Sequence, residues 1–304
     1  MKSLLPLLAL LAASCASVPP AAEPAPEIAI TMDDLPEHGP LLTPEETRVA
    51  VARRILAAFR DAGVPQVYGF VNGTRLEQDP GLERVLEAWR DAGYPLGNHT
   101  WSHASLDAVT AEQYEAELAR NEPLLARLGG RTDWHWFRYP FLAEGQDPAK
   151  RAAVRQALAR RGYRIAQVSM SYGDYEFSEA YARCVAKGDG AGVAEVERSY
   201  MEAVESAVNR SRAVARAAFG HDIPYVLLTH ISAMNARMMP RVLAFYRRAG
   251  FRFVTLERAE SDPAYAADVD PSRPPQDLQS RLGGGVVAIP RRYDPAPLLE
   301  RVCR

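Results

Sequence analysis

The chain has 304 residues, 47% of them hydrophobic and 24% charged, which is enough for one large α/β domain or two ordinary ones. A formal net charge of −2, with arginines scattered along the chain, excludes a general nucleic-acid binder, which would carry a strongly basic face.

The first residues set the expected compartment. Lys2 followed by LLPLLALLAA gives a positive end and an apolar run too short to span a bilayer, the pattern of a secretory signal. Cys15 ends LAASC, which resembles the lipobox of bacterial lipoproteins, although Ala12 stands where Leu is usual. Residues 1–15 are therefore expected to be a signal peptide ending at an acylated Cys, and 16–27, rich in Pro and Ala, a tether. The expectation is an exported protein, lipid-anchored at a periplasmic or outer surface, with soluble secretion as the alternative. Cys184 and Cys303 could form one disulfide in such a compartment or remain two partly buried thiols.

From Ile28 short apolar runs alternate with amphipathic helices. IAITM (28–32) reads as a strand, and Thr43-Pro-Glu-Glu reads as a helix start, with Gly63 as its stop. QVYGFV (66–71) is the second strand, and a helix from Asp79-Pro80 to Gly93 buries Leu82, Val85, Leu86 and Trp89. PLGN leads into GNHTWSHASL (97–106), and Thr110 with Gln113 opens a helix that Pro123 should kink or divide. WFRYP (136–140) is a strand, Asp147-Pro148 caps a helix, and RIAQVS (164–169) reads as one buried strand. Residues 178–219 read as one or two long helices inserted in the domain, YVLLT (225–229) and FRFVT (251–255) as the last strands, and 259–304 as a loop-rich tail. Seven strands separated by helices imply parallel pairing, and a distorted (β/α) barrel over residues 28–258 is preferred to a doubly wound sheet.

In such a barrel the chemistry gathers where strands end. His99 and His103 stand four apart, so on a helical turn both imidazoles would share a face and reach one cation; the plain alternative is a capped helix start with two ordinary histidines. Thr100 follows the first His, where a zinc protease of the HExxH type needs Glu, so a base must come from elsewhere. Asp33 and Asp34 leave the first strand, either as a solvated turn or as site groups. In the second reading Asp34 completes an Asp-His-His ligand set, and Asp33 takes a proton from the attacking water. Arg138 would hold Asp33 ionised, or be a surface cation. The Tyr139 backbone N–H, turned outwards before Pro140, could face an oxyanion. His230 could protonate a leaving amine with Asp174 holding it charged, or be a satisfied histidine at the rim.

These stretches together resemble, in order, the five motifs of the polysaccharide deacetylases, the NodB-homology domain of carbohydrate esterase family 4: TMDD (31–34), HTWSH (99–103), RYPF (138–141), GDY (173–175) and LTH (228–230). The resemblance implies a distorted (β/α) barrel and metal-assisted removal of N- or O-acetyl groups from a glycan, possibly of the cell wall. It implies one divalent metal, usually zinc, on Asp34, His99 and His103, with Co²⁺, Ni²⁺ or Mn²⁺ equally compatible with Asp and His ligands. Asp33 becomes the base, His230 the acid, and Arg138, Asp174 and the Tyr139 backbone their supports. Met32, Leu35, Phe141 and Tyr175 depart from the family's usual residues, and these changes are expected to reshape the pocket while sparing the ligands. The alternatives are a metal-dependent hydrolase of non-carbohydrate linear or cyclic amides on the same fold, and an inactive glycan-binding lipoprotein. His38, His135 and His221 match no motif and are read as structural, with His38 near enough to the Asp pair to line the cleft.

Overall fold

The computed structural model describes residues 24–276, 278, 281 and 290–304, so the expected signal peptide and most of the expected tether lie outside the described residues. Seven parallel strands run in the order β5-β4-β3-β2-β1-β7-β6, and an eighth, β8 (Arg252–Phe253), pairs with the start of β1. The strands are β1 (Glu27–Leu35), β2 (Val67–Val71), β3 (Leu96–Asn98), β4 (Trp136–Phe137), β5 (Arg164–Ile165), β6 (Met170–Ser171) and β7 (Tyr225–His230). This curled parallel sheet with helices packed on it is the distorted (β/α) barrel. The central strands are apolar along almost their whole length, as expected where both faces are covered.

RIAQVS is not one strand. Its start pairs with β4 at one edge of the sheet and its continuation pairs with β7 at the other, so residues 166–169 cross the gap that would otherwise leave the barrel open. Ala166 N–H donates to Phe137 O at 2.7 Å and Ser169 N–H to Val226 O at 3.1 Å, one bond to each edge. Between them Gln167 N–H donates to the buried Glu260 carboxylate at 2.6 Å.

Three helical expectations change. The first helix is Arg48–Asp61, capped by Thr47, whose hydroxyl accepts from Ala50 N–H at 3.2 Å; Thr43 and Glu46 form only a turn before it. The helix Ala111–Leu128 opens on the expected Thr110–Gln113 capping box but continues through Pro123 without division. Residues 178–219 form Ser178–Ala186 and Gly190–Phe219, and these constitute the crossover from β6 to β7. Val196, Tyr200, Ala203, Val204, Ala207 and Val208 recur at helical spacing and are buried, so this segment is part of the barrel wall.

The tail also packs. Leu299 and Val302 are buried, Arg183 donates to Leu299 O at 2.7 Å, and Cys303 is bonded to Cys184. A Cβ on Gly192 would lie 2.4 Å from Cys303 Sγ, so only glycine fits beside this bridge. The bridge closes a loop of 119 residues, for which chain entropy gives a contribution of about 5 kcal/mol. The double variant Cys184→Ser/Cys303→Ser should therefore unfold at clearly lower denaturant concentration than the oxidised protein, by about that amount; equal midpoints would show that the bridge does not restrain the chain.

Candidate metal and acid-base site

The site lies at the C-terminal ends of β1, β3, β4 and β7. Register brings its parts together: Asp33 on β1 stands opposite His230 on β7, and Asn98, just before His99, stands opposite Phe137, just before Arg138. Between Met32 and Leu35, β1 shifts register against β2, so that two residues on β1 face one on β2. This bulge puts Asp34 in the left-handed region at φ 63°, out of the alternation a strand would impose. Both adjacent carboxylates thus reach one imidazole. His99 Nε2 lies 3.7 Å from Asp33 Oδ2 and 3.5 Å from Asp34 Oδ1.

The histidine pair is not on a helical turn. Residues 99–103 form a loop in which Thr100 (φ 62°) and His103 (φ 58°) are both left-handed, and the two rings nevertheless meet with centroids 4.8 Å apart. Three buried asparagines enforce that path. Asn98 Oδ1 accepts from Thr100 N–H at 3.0 Å, Asn72 Nδ2 donates to His99 O at 2.6 Å, and Asn121 Nδ2 donates to Asn98 Oδ1 at 3.1 Å. These residues belong to the site's support, and nothing in their spacing singles them out in sequence.

One ligand atom from each of Asp34, His99 and His103 lies within 4.8 Å of the other two. Asp34 Oδ1 is 3.5 Å from His99 Nε2 and 3.4 Å from His103 Nε2, close to the spacing of about 3.3–3.6 Å that a tetrahedral cation imposes on N and O ligands. That same oxygen is buried and accepts no hydrogen bond from any described residue, a costly state for a carboxylate oxygen unless a cation satisfies it. The residues fit a divalent metal.

Arg138 is almost wholly buried and its donors are fully used. Nη1 contacts both Asp33 oxygens at 3.3 and 3.4 Å, Nη2 reaches Thr31 Oγ1 at 3.2 Å and Gln167 O at 3.3 Å, and Nε donates to Ala166 O at 2.8 Å. It is therefore no surface cation. Burial nevertheless pushes the Asp33 carboxyl up, and the guanidinium opposes that rise without cancelling it. Arg138 O accepts from His99 Nδ1 at 2.7 Å, which leaves the Nε2 lone pair turned to the carboxylates; burial holds this ring neutral, its pKa down to about 3.

On the other side His230 Nδ1 lies 2.9 Å from Asp174 Oδ1, and His230 N–H donates to Asp174 Oδ2 at 2.7 Å. Asn235 donates to the same carboxylate and, at 2.6 Å, to His230 O. Burial disfavours the charged imidazole, but the Asp174 carboxylate outweighs it and raises His230 to about 9. Burial likewise works against the Asp174 charge, and His230 with these hydrogen bonds brings its carboxyl below the usual value.

The Tyr139 ring is withdrawn into the core beside Phe137 and Tyr114, whereas Phe141, left-handed at φ 60° and 66% exposed, lies 4.5 Å from the His103 ring. Tyr175, 48% exposed, stands 5.3 Å from the His230 ring. Of the four departures from the family's pattern, only these two reach the rim; Met32 and Leu35 are core residues. His38 lines the groove. His135, paired to Asp133 at 3.0 Å, and His221 lie apart from the site. The described groove beside Asp34 and His103 measures about 800 Å³.

The His230–Asp174 contact sets a measurable titration. Its stabilisation is complete below the ordinary histidine value of about 6.5 and is lost as pH rises through about 9. NMR titration should place His230 near 9, and Asp174→Asn should bring it down towards the ordinary range; an unchanged midpoint in that variant would remove Asp174 as the cause.

Comparison with known proteins follows the same lines. Residues 21–166 match the family described as polysaccharide deacetylase. A peptidoglycan-N-acetylglucosamine deacetylase of Bacillus cereus is 27% identical over 104 residues, 34% of this chain and 32% of the relative, so the match spans about a third of that protein's length. A mutant, with restored enzymatic activity, of a CE4 family pseudoenzyme from Bacillus anthracis superposes with TM-score 0.55 at 14% identity over 78% of this chain and 68% of that one. The Xyl-CE4 domain of a multidomain xylanase from the hindgut metagenome of Trinervitermes trinervoides gives 0.51 at 15% identity over 78% and 90%. At such identities the structures establish the shared fold alone. Over residues 21–166, the chain is thus similar to the polysaccharide deacetylases.

Proposed function

We propose that this protein is an exported, metal-dependent deacetylase that hydrolyses N-acetyl groups of a glycan, with zinc as the metal and a cell-wall polymer as the substrate. The observation that carries the reading is the orphaned Asp34 Oδ1 between two imidazoles, flanked on one side by a buried carboxylate and on the other by a charged imidazole. The similarity to a peptidoglycan-N-acetylglucosamine deacetylase supports an N-acetylated substrate. Export is supported by the Cys184–Cys303 bridge, which belongs to oxidising compartments, and by the signal-like first residues. Among the described residues no helix is long and apolar enough to cross a membrane, and the lipid anchor is proposed on Cys15 alone.

Asp34, His99 and His103 would hold the cation, which when bound supplies Lewis acidity and lowers the pKa of water. Asp33 takes one proton from the attacking water; its raised pKa makes it a better acceptor than an exposed carboxylate. Arg138 fixes the direction of that carboxylate while leaving it free to exchange a proton. As the carbonyl carbon becomes tetrahedral, negative charge grows on its oxygen. The Tyr139 backbone N–H, just before Pro140, is the donor assigned to it. The C–N bond then breaks, and His230, cationic at neutral pH, gives its Nε2 proton to the departing nitrogen. The balance is amide plus water to acetate plus the protonated amine, and one net proton transfer from Asp33 to His230 returns both to their starting states.

The test is acetate release by metal-stripped and zinc-reloaded protein on chitin oligomers, peptidoglycan and acetylated xylan. Release on the N-acetylated members only with metal, abolished in Asp33→Asn while bound zinc is retained, is the expected result. Silence on every member by protein that binds zinc would contradict the glycan assignment and favour a non-carbohydrate amide.

A further inference from the structure

Asp33, His99 and His230 each have an evident partner that fixes their direction. Arg138 holds Asp33, the Arg138 carbonyl holds His99, and Asp174 holds His230. Asp34 has no such anchor in its own strand: it lies in a bulge with left-handed backbone, and its Oδ1 accepts no hydrogen bond from any described residue. The side chain that faces its other oxygen is His38, whose Nε2 lies 3.8 Å from Asp34 Oδ2. At this distance the two groups face each other without a hydrogen bond.

His38 is itself held in place. Arg48 donates to His38 O at 3.3 Å while pairing with Glu37 at 2.8 Å, and the His38 ring packs on the His230 ring with centroids 5.0 Å apart. Nδ1 is buried with no hydrogen-bond partner among the described residues, and Nε2 faces Asp34. A half-buried imidazole with one nitrogen orphaned and the other facing a ligating carboxylate is poorly explained by packing, which an apolar ring would serve better. It is the arrangement by which an outer group orients a metal ligand.

We infer that His38 is a positioning residue for the metal site: it engages Asp34 Oδ2 and so directs Oδ1 towards His99 and His103. The inference rests on the metal reading above and assigns a role outside the five motifs.

The test measures Zn²⁺ affinity of the full chain by competition with a chromogenic chelator, alongside thermal unfolding of the zinc-free protein. His38→Phe keeps ring volume and the contact with His230 but removes both nitrogens, and should weaken Zn²⁺ binding about 10- to 100-fold with zinc-free unfolding unchanged. His38→Gln restores a side-chain donor and should recover most of that loss. Unaltered Zn²⁺ affinity in His38→Phe would overturn the role, as would equal weakening in both variants. A raised KM for the glycan with unaltered Zn²⁺ affinity would overturn it too and make His38 a substrate contact. Failure of the unsubstituted protein to bind Zn²⁺ would instead overturn the metal reading itself.

Discussion

The buried Arg138 guanidinium is the interaction on which the rest of the structure depends. It closes the barrel where the sheet is open, binding the carbonyls of Ala166 and Gln167 as they cross from β5 to β6, and it holds the Asp33 carboxylate at the end of the central strand. Its own carbonyl orients His99. Fold closure, base and ligand are therefore joined through one residue. Removing the guanidinium would leave a carboxylate buried without its cation, a change that costs about 3–5 kcal/mol, besides two carbonyls without their donors.

Around that anchor the site combines two opposed electrostatic settings. Burial raises Asp33, which suits a proton acceptor, whereas Asp174 overcomes burial and raises His230, which suits a donor. Parallel strands at matched register place these groups across one ladder step, Asp33 opposite His230, and the β1 bulge turns Asp34 towards the histidine loop. Departures from ideal strand and helix geometry occur where the ligands are, at Asp34, Thr100 and His103. Such strain persists only where surrounding structure determines it, and here the asparagine cluster and the neighbouring strands do so.

Much of this was legible in the sequence because strand ends carry the polar residues and the barrel needs only alternating apolar runs and helices. The strands, the capping box at Thr110 and the N-cap at Asp147 follow from local chemistry. What was not legible depends on tertiary closure. RIAQVS reads as one strand because nothing local says that its two ends pair with opposite edges. The HxxxH spacing suggests a helical turn, but two left-handed residues and the amide side chains of Asn72, Asn98 and Asn121 hold the rings together instead. The support given by Asn72, Asn98 and Asn121 spans 20 or more residues of sequence in several of its bonds, and single polar residues carry no periodic signal. Phe141 and Tyr175, flanking the site, read only as substitutions within motifs until the fold shows which of them is exposed.

The central claim is that a bulged strand and a non-helical loop bring Asp34, His99 and His103 onto one cation. Anomalous diffraction at the zinc edge from crystals of the zinc-loaded protein tests it most directly. The account predicts one strong peak about 2.0–2.2 Å from an Asp34 carboxylate oxygen and the two histidine Nε2 atoms, with Asp33 still held by Arg138. A peak coordinated by Asp33 in place of Asp34, or no ordered zinc between these residues at saturation, would contradict it.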